Sequence, residues 1–299
     1  MTDVPPHHDR LTRFLLDASG IRGVLVRLDA TWAATCERVD YPTPVRDLLG
    51  QTMAAAALFG GHVKIDGRLG IQLRGAGALR TLFAEYASGG ALRGIALWQE
   101  PLPAQLTPRD FGDNALLAIT MEIPSPGHDE PHRHQGLVGL DADNLAQAFE
   151  TYFAVSEQLP TRLLLACNAG SAVGLLLQPL PGAAQDGDGW PRAQALFETL
   201  TAEELLATDA HTLLYRLFHE DGVRILAEQP LSFQCRCSRE RVGAVLLSLG
   251  RDEALAAIQP PDDVVEVDCE FCGQRYRFDA VDIGQLFAGG GSESATSLH

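Results

Sequence analysis

The sequence predicts an α+β protein: an N-terminal, mostly antiparallel sheet domain with helices, a helical linker, and a small C-terminal module holding four cysteines. Three observations lead there. Strand-like segments in the first 180 residues are joined by short Gly- and Pro-rich turns, which favours antiparallel pairing over a doubly wound sheet. Composition changes at PLPGAAQDGDGWP, residues 179–191, a run of Pro, Gly and Asp suited to a linker. Beyond it stand two closely spaced cysteine pairs. The expected boundaries are 1–180 for the sheet domain, 181–231 for the linker, 232–288 for the cysteine module and 289–299 for a tail.

Each element has a local reason. IRGVLVRL, residues 21–28, alternates enough for a half-buried strand. In YPTPVRDLLGQTMAAAALF, Thr43 caps an Ala-rich helix with Pro44 at its first position, ending at Gly60. HVKIDGRLGIQLRG reads as a hairpin around Asp66-Gly67, a dipeptide favoured in type I′ turns. More strands are expected at 79–86, 91–98 and 115–123. GLVGL, residues 136–140, leads into a helix from about Asp143 to Gln158, with Leu145, Phe149, Tyr152 and Phe153 on one face. RLLLACNAGSAVGLLLQ then gives two strands around a turn.

The linker carries two short helices. Thr201 with Glu204 fits a capping box. Asp209 precedes the second helix, whose Leu213, Leu214, Leu217 and Phe218 form an apolar stripe stopped near Gly222. The cysteine module starts near Leu231, and AGGGSESATSLH at the end is too poor in apolar residues to order itself.

Composition narrows the class of partner. Hydrophobic residues are 46% of the 299, enough for a real core. Acids outnumber bases 39 to 23, a net charge of -16 that repels phosphate backbones and anionic membranes. Neither nucleic acid nor membrane is an expected partner. MTDVPPHHDRLTRFLL lacks the pattern of a secretory signal, and no apolar run approaches the roughly 20 residues of a membrane span. A cytoplasmic location, where thiols stay reduced, is expected.

FQCRCSRERV sets Cys235 and Cys237 one residue apart; VDCEFCGQRYRF sets Cys269 and Cys272 two apart, with 31 residues between the pairs. Cα atoms two residues apart in an extended chain are separated by about 7 Å, the limit for an easy disulfide. Two thiolates so close are better held by one ion. Four thiolates from two short loops suit a tetrahedral zinc ion with Zn–S bonds of about 2.3 Å, which makes the module a zinc domain. Gly273 lets backbone amides turn toward sulfur. A thioredoxin-like reading of Cys269 and Cys272 lacks a surrounding βαβ pattern. Arg236, Arg239, Arg241, Arg275 and Arg277 flank the sulfurs and favour thiolate once zinc leaves, yet Glu240, Asp268 and Glu270 are equally near. The residues alone leave structural and regulatory zinc both open.

CRCSRERV, a helical span and CEFCGQRYRFDAVDI together resemble the signature of the redox-regulated heat-shock chaperone family, the thirty-three-kilodalton chaperonins. YPTPVRDLLG, IDGRLGIQLRG, HQGLVGL, FETYFAVSEQLPTR, TAEELL and LLYRLFHEDGVRI look like family segments in their expected order, so the resemblance covers nearly the whole chain. It departs in the loop GHDEPHRHQ and in two additional cysteines. The resemblance implies a resting form with one zinc per chain, held by Cys235, Cys237, Cys269 and Cys272. It implies that oxidation forms two disulfides, Cys235–Cys237 and Cys269–Cys272, and releases the metal. The zinc domain and linker would then unfold and hold unfolding client proteins without ATP or turnover, the oxidised chain forming a homodimer. Structural zinc contributes on the order of 10–16 kcal/mol of folding free energy in small peptides, so a module this small should melt without it. The stripe of Leu213, Leu214, Leu217 and Phe218 is the expected client-binding surface.

Other readings give other expectations. A zinc-ribbon adaptor with purely structural zinc is the alternative, and the acidic balance disfavours its nucleic-acid version. A thiol-disulfide oxidoreductase using Cys269 and Cys272 would reduce insulin disulfides catalytically, which a holding chaperone would not. Cys36 and Cys167, in apolar strand-like contexts, read as buried packing residues. His128, His132 and His134 share a polar, Pro-containing stretch that reads as a solvated loop rather than a second metal site. GRLGIQLRGAG lacks the Lys-Ser/Thr ending of a phosphate loop.

Overall fold

The computed structural model describes residues 9–63, 65–125, 131–181, 188–258 and 263–289. Backbone contacts divide the chain into two units, Met1–Gln234 and Cys235–His299.

One helix organises the first unit. β1 (Arg10–Leu16), β2 (Ile21–Leu28) and α1 (Ala30–Cys36) lead into α2 (Thr43–Val63). Every residue of α2 from Thr52 to Gly61 is buried. A helix that is apolar all round has to be enclosed, and here strands of two sheets pack against it. The Ala run propagates the helix well and keeps it narrow. Gly60 does not end it, because a Cβ there would lie 2.1 Å from the Tyr86 ring, and one at Gly61 2.2 Å from Leu11. Both glycines admit a sheet side chain against the helix.

The chain continues through β3 (Arg68–Arg74), β4 (Leu79–Ala87), β5 (Ala91–Trp98), β6 (Leu116–Ile123) and β7 (His132–Gly139). After these come α3 (Leu145–Tyr152), β8 (Arg162–Cys167) and β9 (Ala172–Pro179). Three helices follow, α4 (Gly189–Glu198), α5 (Ala202–Ala207) and α6 (Ala210–Phe218), then β10 (Val223–Pro230) and β11 (Ser232–Phe233). One sheet has the order β10-β1-β2-β9-β8, the other β11-β5-β4-β3-β6-β7. Pairing in both is antiparallel except between β11 and β5. The α+β class with antiparallel sheets is what the sequence predicts.

The five-stranded sheet is covered on both faces. Along β9, Leu176 belongs to the core around α2, while Leu175 and Leu177 pack with α4–α6. A strand covered on both faces reads as a continuous apolar run, which accounts for AVGLLLQ.

Several local readings need correction. Asp66-Gly67 is no hairpin turn: α2 runs to Val63, and the described neighbours of β3 are β4 and β6. Gly67, with φ +150°, is needed because a Cβ would meet the Glu122 carbonyl oxygen at 2.1 Å. Among the described residues three α-helices, not two, lie between β9 and β10, since Pro191 sits in the first turn of α4, where its missing N–H costs nothing. β1, α1 and β10 were not foreseen. α3 widens into a π-helix at Phe153–Glu157, though Leu145, Phe149, Tyr152 and Phe153 are buried as the periodicity predicts. Cys36 closes a helix rather than lying in a strand. His132 and His134 stand on β7, not in a loop, and His128 lies outside the described residues. So do residues 182–187 of the Pro/Gly run and the tail from residue 290 onward.

In the second unit, α7 (Arg239–Leu249) and α8 (Arg251–Ala256) precede an antiparallel hairpin of β12 (Val264–Asp268) and β13 (Arg275–Asp279), closed by α9 (Ala280–Gly289). Its buried core is small: Val242, Leu246, Ala254, Val265, Phe278 and Ile283. Among the described residues no helix is long and apolar enough to cross a membrane.

Candidate metal centre

Two short segments bring the four cysteines together. Cys235 and Cys237 lie in the extended segment before α7, whose start is fixed by Ser238 Oγ accepting from the Arg241 N–H at 3.3 Å. Cys269 and Cys272 occupy the turn of the β12–β13 hairpin, where the Gly273 N–H donates to the Cys269 carbonyl at 2.7 Å and the Cys269 N–H to Gln274 O at 2.9 Å. Gly273 closes that turn at φ +64°, a left-handed conformation that favours glycine.

All four Sγ atoms lie within 4.8 Å of one another, each cysteine half-buried. Cys235 and Cys269 are 3.6 Å apart at sulfur, and Cys237 and Cys272 3.2 Å. A tetrahedron with 2.3 Å metal–sulfur bonds has sulfur–sulfur edges of about 3.8 Å. The cluster can hold a metal ion, and its all-sulfur donor set fits zinc. Burial first, then the neighbouring thiols, push the Cys272 thiol well above its ordinary range. A divalent cation reverses that preference by stabilising thiolate.

The surroundings temper the arginine argument. Arg275 pairs with Asp268 at 2.8 Å and Glu266 at 3.2 Å, Arg277 with Glu266, and Arg239 with Asp282 at 2.7 Å while lying over the Phe278 ring. Arg241 donates to the Arg236 carbonyl at 2.7 Å. Carboxylates therefore balance the charges of Arg239, Arg275 and Arg277. The sequence reading missed Tyr276, whose hydroxyl donates to Cys237 Sγ at 3.1 Å. That hydrogen bond, with the cysteine charges nearby, raises the phenol to about 12. A signal was available: RYRF alternates on β13, but nothing local showed that Tyr276 would meet Cys237.

Other candidates lie elsewhere. Leu213, Leu214 and Phe218 are fully buried and Leu217 partly, all within the first unit. Cys36 and Cys167 are half-buried there, and burial pushes Cys36 up to about 11 and Cys167 further. The His132 and His134 rings meet edge to face, with centroids 4.4 Å apart, on exposed positions of β7.

The chain matches the family described as "Hsp33 protein" over residues 9–279. It is 45% identical to the 33 kDa chaperonin of Ectopseudomonas mendocina over 293 residues, covering 96% of this chain and 98% of that one. It is 44% identical to the 33 kDa chaperonin of Pseudomonas putida, covering 99% of each. The fold matches the crystal structure of the 33 kDa chaperonin from Thermotoga maritima with a TM-score of 0.80 at 21% identity, covering 96% of this chain and all of that one. A fold, a four-cysteine cluster and a near full-length match agree: the chain belongs to the Hsp33 family of chaperones.

Proposed function

We propose that this chaperone is a redox-regulated, ATP-independent holding protein. At rest Cys235, Cys237, Cys269 and Cys272 hold one zinc ion and the protein is inactive. Hydrogen peroxide, one molecule per cysteine pair, takes two electrons from each pair, forming the Cys235–Cys237 and Cys269–Cys272 disulfides, releasing the metal and being reduced to water. The zinc domain of residues 232–288 then unfolds with the linker of residues 181–231, leaving the domain of residues 1–180 folded. Leu213, Leu214, Leu217 and Phe218 become available to unfolding clients, and the oxidised chain forms a homodimer. It acts without turnover, in a reducing cytoplasm that keeps the zinc form loaded, and binds neither nucleic acid nor membrane.

One observation carries this reading: four sulfurs cluster in a unit whose buried core, among the described residues, is six side chains. So small a core depends on its metal for stability. The sulfur contacts of 3.6 and 3.2 Å run between the two cysteine segments, whereas the proposed disulfides join neighbours within each. Forming them removes the ligands that tie one segment to the other.

The test is peroxide treatment of zinc-loaded protein, followed by a chromogenic chelator and disulfide mapping. One zinc per chain should be released as both within-segment disulfides appear. Retained zinc, or a Cys235–Cys269 bridge, would contradict the mechanism. The paired arginines favour a second reading, a zinc-ribbon adaptor whose zinc is purely structural; it expects zinc to stay bound under mild peroxide.

A further inference from the structure

The first unit contains a cavity of about 470 Å³, inside the usual range for small-molecule sites. Its wall is apolar, with Phe59 of α2, Leu69 of β3, Ile119 and Met121 of β6, and Phe153. Two basic groups line it. His62 is neutral near pH 7, because burial, with Arg22 beside it, lowers its pKa to about 4. Arg22 is then the cation among the lining residues.

Arg22 is poorly compensated. Its Nη2 donates to Gln178 Oε1 at 3.0 Å, an uncharged acceptor. Its Nε is sealed from solvent and has no hydrogen-bond partner. Burial lowers its pKa, the sign of a desolvated charge. The cavity's carboxylate, Glu157, is solvent-exposed and accepts from the Tyr152 hydroxyl at 3.0 Å. A half-buried guanidinium held by an uncharged acceptor beside an apolar wall is complementary to an anion carried on an apolar body.

We propose that this cavity binds a small amphipathic carboxylate, in chemical class a medium-chain aliphatic acid. The carboxylate pairs with the Arg22 guanidinium, and the chain lies against Phe59, Leu69, Ile119 and Met121. The site is separate from the cysteine cluster and independent of its redox state.

The chain has three methionines, at positions 1, 53 and 121, which give a direct readout. With ¹³C in the methionine methyl groups of the full-length reduced protein, decanoate should shift the Met121 signal saturably. Met53, fully buried and outside the cavity lining, should not move. Decanol should bind roughly tenfold more weakly, the equivalent of one charge-assisted hydrogen bond. Arg22→Gln should bring decanoate down to the level of decanol. A Met121 signal unmoved by decanoate, or equal binding of decanol and decanoate to the unaltered chain, overturns the proposal, and neither result depends on the variant folding. Undiminished decanoate binding by a folded Arg22→Gln protein overturns it as well.

Discussion

The rings of Phe14 and Phe218 stack with centroids 6.5 Å apart and planes 22° from parallel. This contact ties the end of α6 to the middle of β1 and places the proposed client-binding stripe under cover. The cover is a sheet face built from Phe14, Leu16, Ile21, Leu25, Val173 and Leu177. In the proposed mechanism, activation lifts α6 from that sheet and bares both surfaces.

Loosening this contact should mimic part of the activation. Phe218→Ala removes a fully buried ring, a change that costs about 3–5 kcal/mol in a well-packed core. The reduced, zinc-loaded variant should bind a hydrophobic dye more strongly than the unaltered protein and slow client aggregation without oxidant. A variant that is less stable yet shows neither effect would detach the stripe from client binding.

Tyr276 should steady the metal site. Its hydroxyl donates to Cys237 Sγ, and such a bond stabilises thiolate over thiol. Tyr276→Phe should keep the fold and the zinc stoichiometry but surrender zinc faster to a competing chelator and to peroxide. Unchanged release kinetics would make the contact incidental.

Cys36 and Cys167 should be silent. A thiol raised from 9.0 to about 11 has a thiolate fraction roughly a hundredfold lower near neutral pH, and burial raises Cys167 more. Neither should react with iodoacetamide in the native protein, and both should react once it is unfolded. Cys36→Ser and Cys167→Ser should leave the zinc content unchanged, whereas Ser at any of the four clustered positions should lower it.

The stability of the first unit should fall in mild acid. His62 titrates at about 4 in the fold against an ordinary value of 6.5, because burial disfavours its charged form. Between those values the unfolded chain binds the extra proton. The contribution is thus complete above pH 6.5 and is lost as pH falls to 4, by about 3 kcal/mol. Trp32, Trp98 and Trp190 all belong to the first unit, so urea unfolding followed by tryptophan fluorescence isolates it. His62→Gln should flatten the decline between pH 6.5 and 4; an equal decline in the variant would assign it to other groups.

The cysteine site was legible because each pair is set by local spacing, and a tetrahedral ion requires only that two short segments meet. Tyr276 was not, since its partner is 39 residues away and the approach depends on a hairpin folding back. The Ala-rich body of α2 announced a helix, but Gly60 looked like a stop when it is a point of close packing. Asp66-Gly67 carried the right residues for a tight turn, and the helix running into it overrode that preference. β10 was missed for a different reason. Its residues alternate between half-buried and exposed, but none is fully buried and the apolar Leu226 falls on the exposed side, so the apolar-polar pattern of VRILAEQP is weak. Its pairing with β1 spans most of the first unit, a relationship that no short window of sequence contains.

The most direct test of the central claim is light scattering from a thermally unfolding client mixed with the full-length protein. One sample is reduced and zinc-loaded, the other treated with peroxide at heat-shock temperature until zinc is released. Suppression of aggregation by the oxidised sample alone is the predicted result. Equal suppression by both samples, or none by either, would contradict a redox switch and return the four cysteines to a structural role.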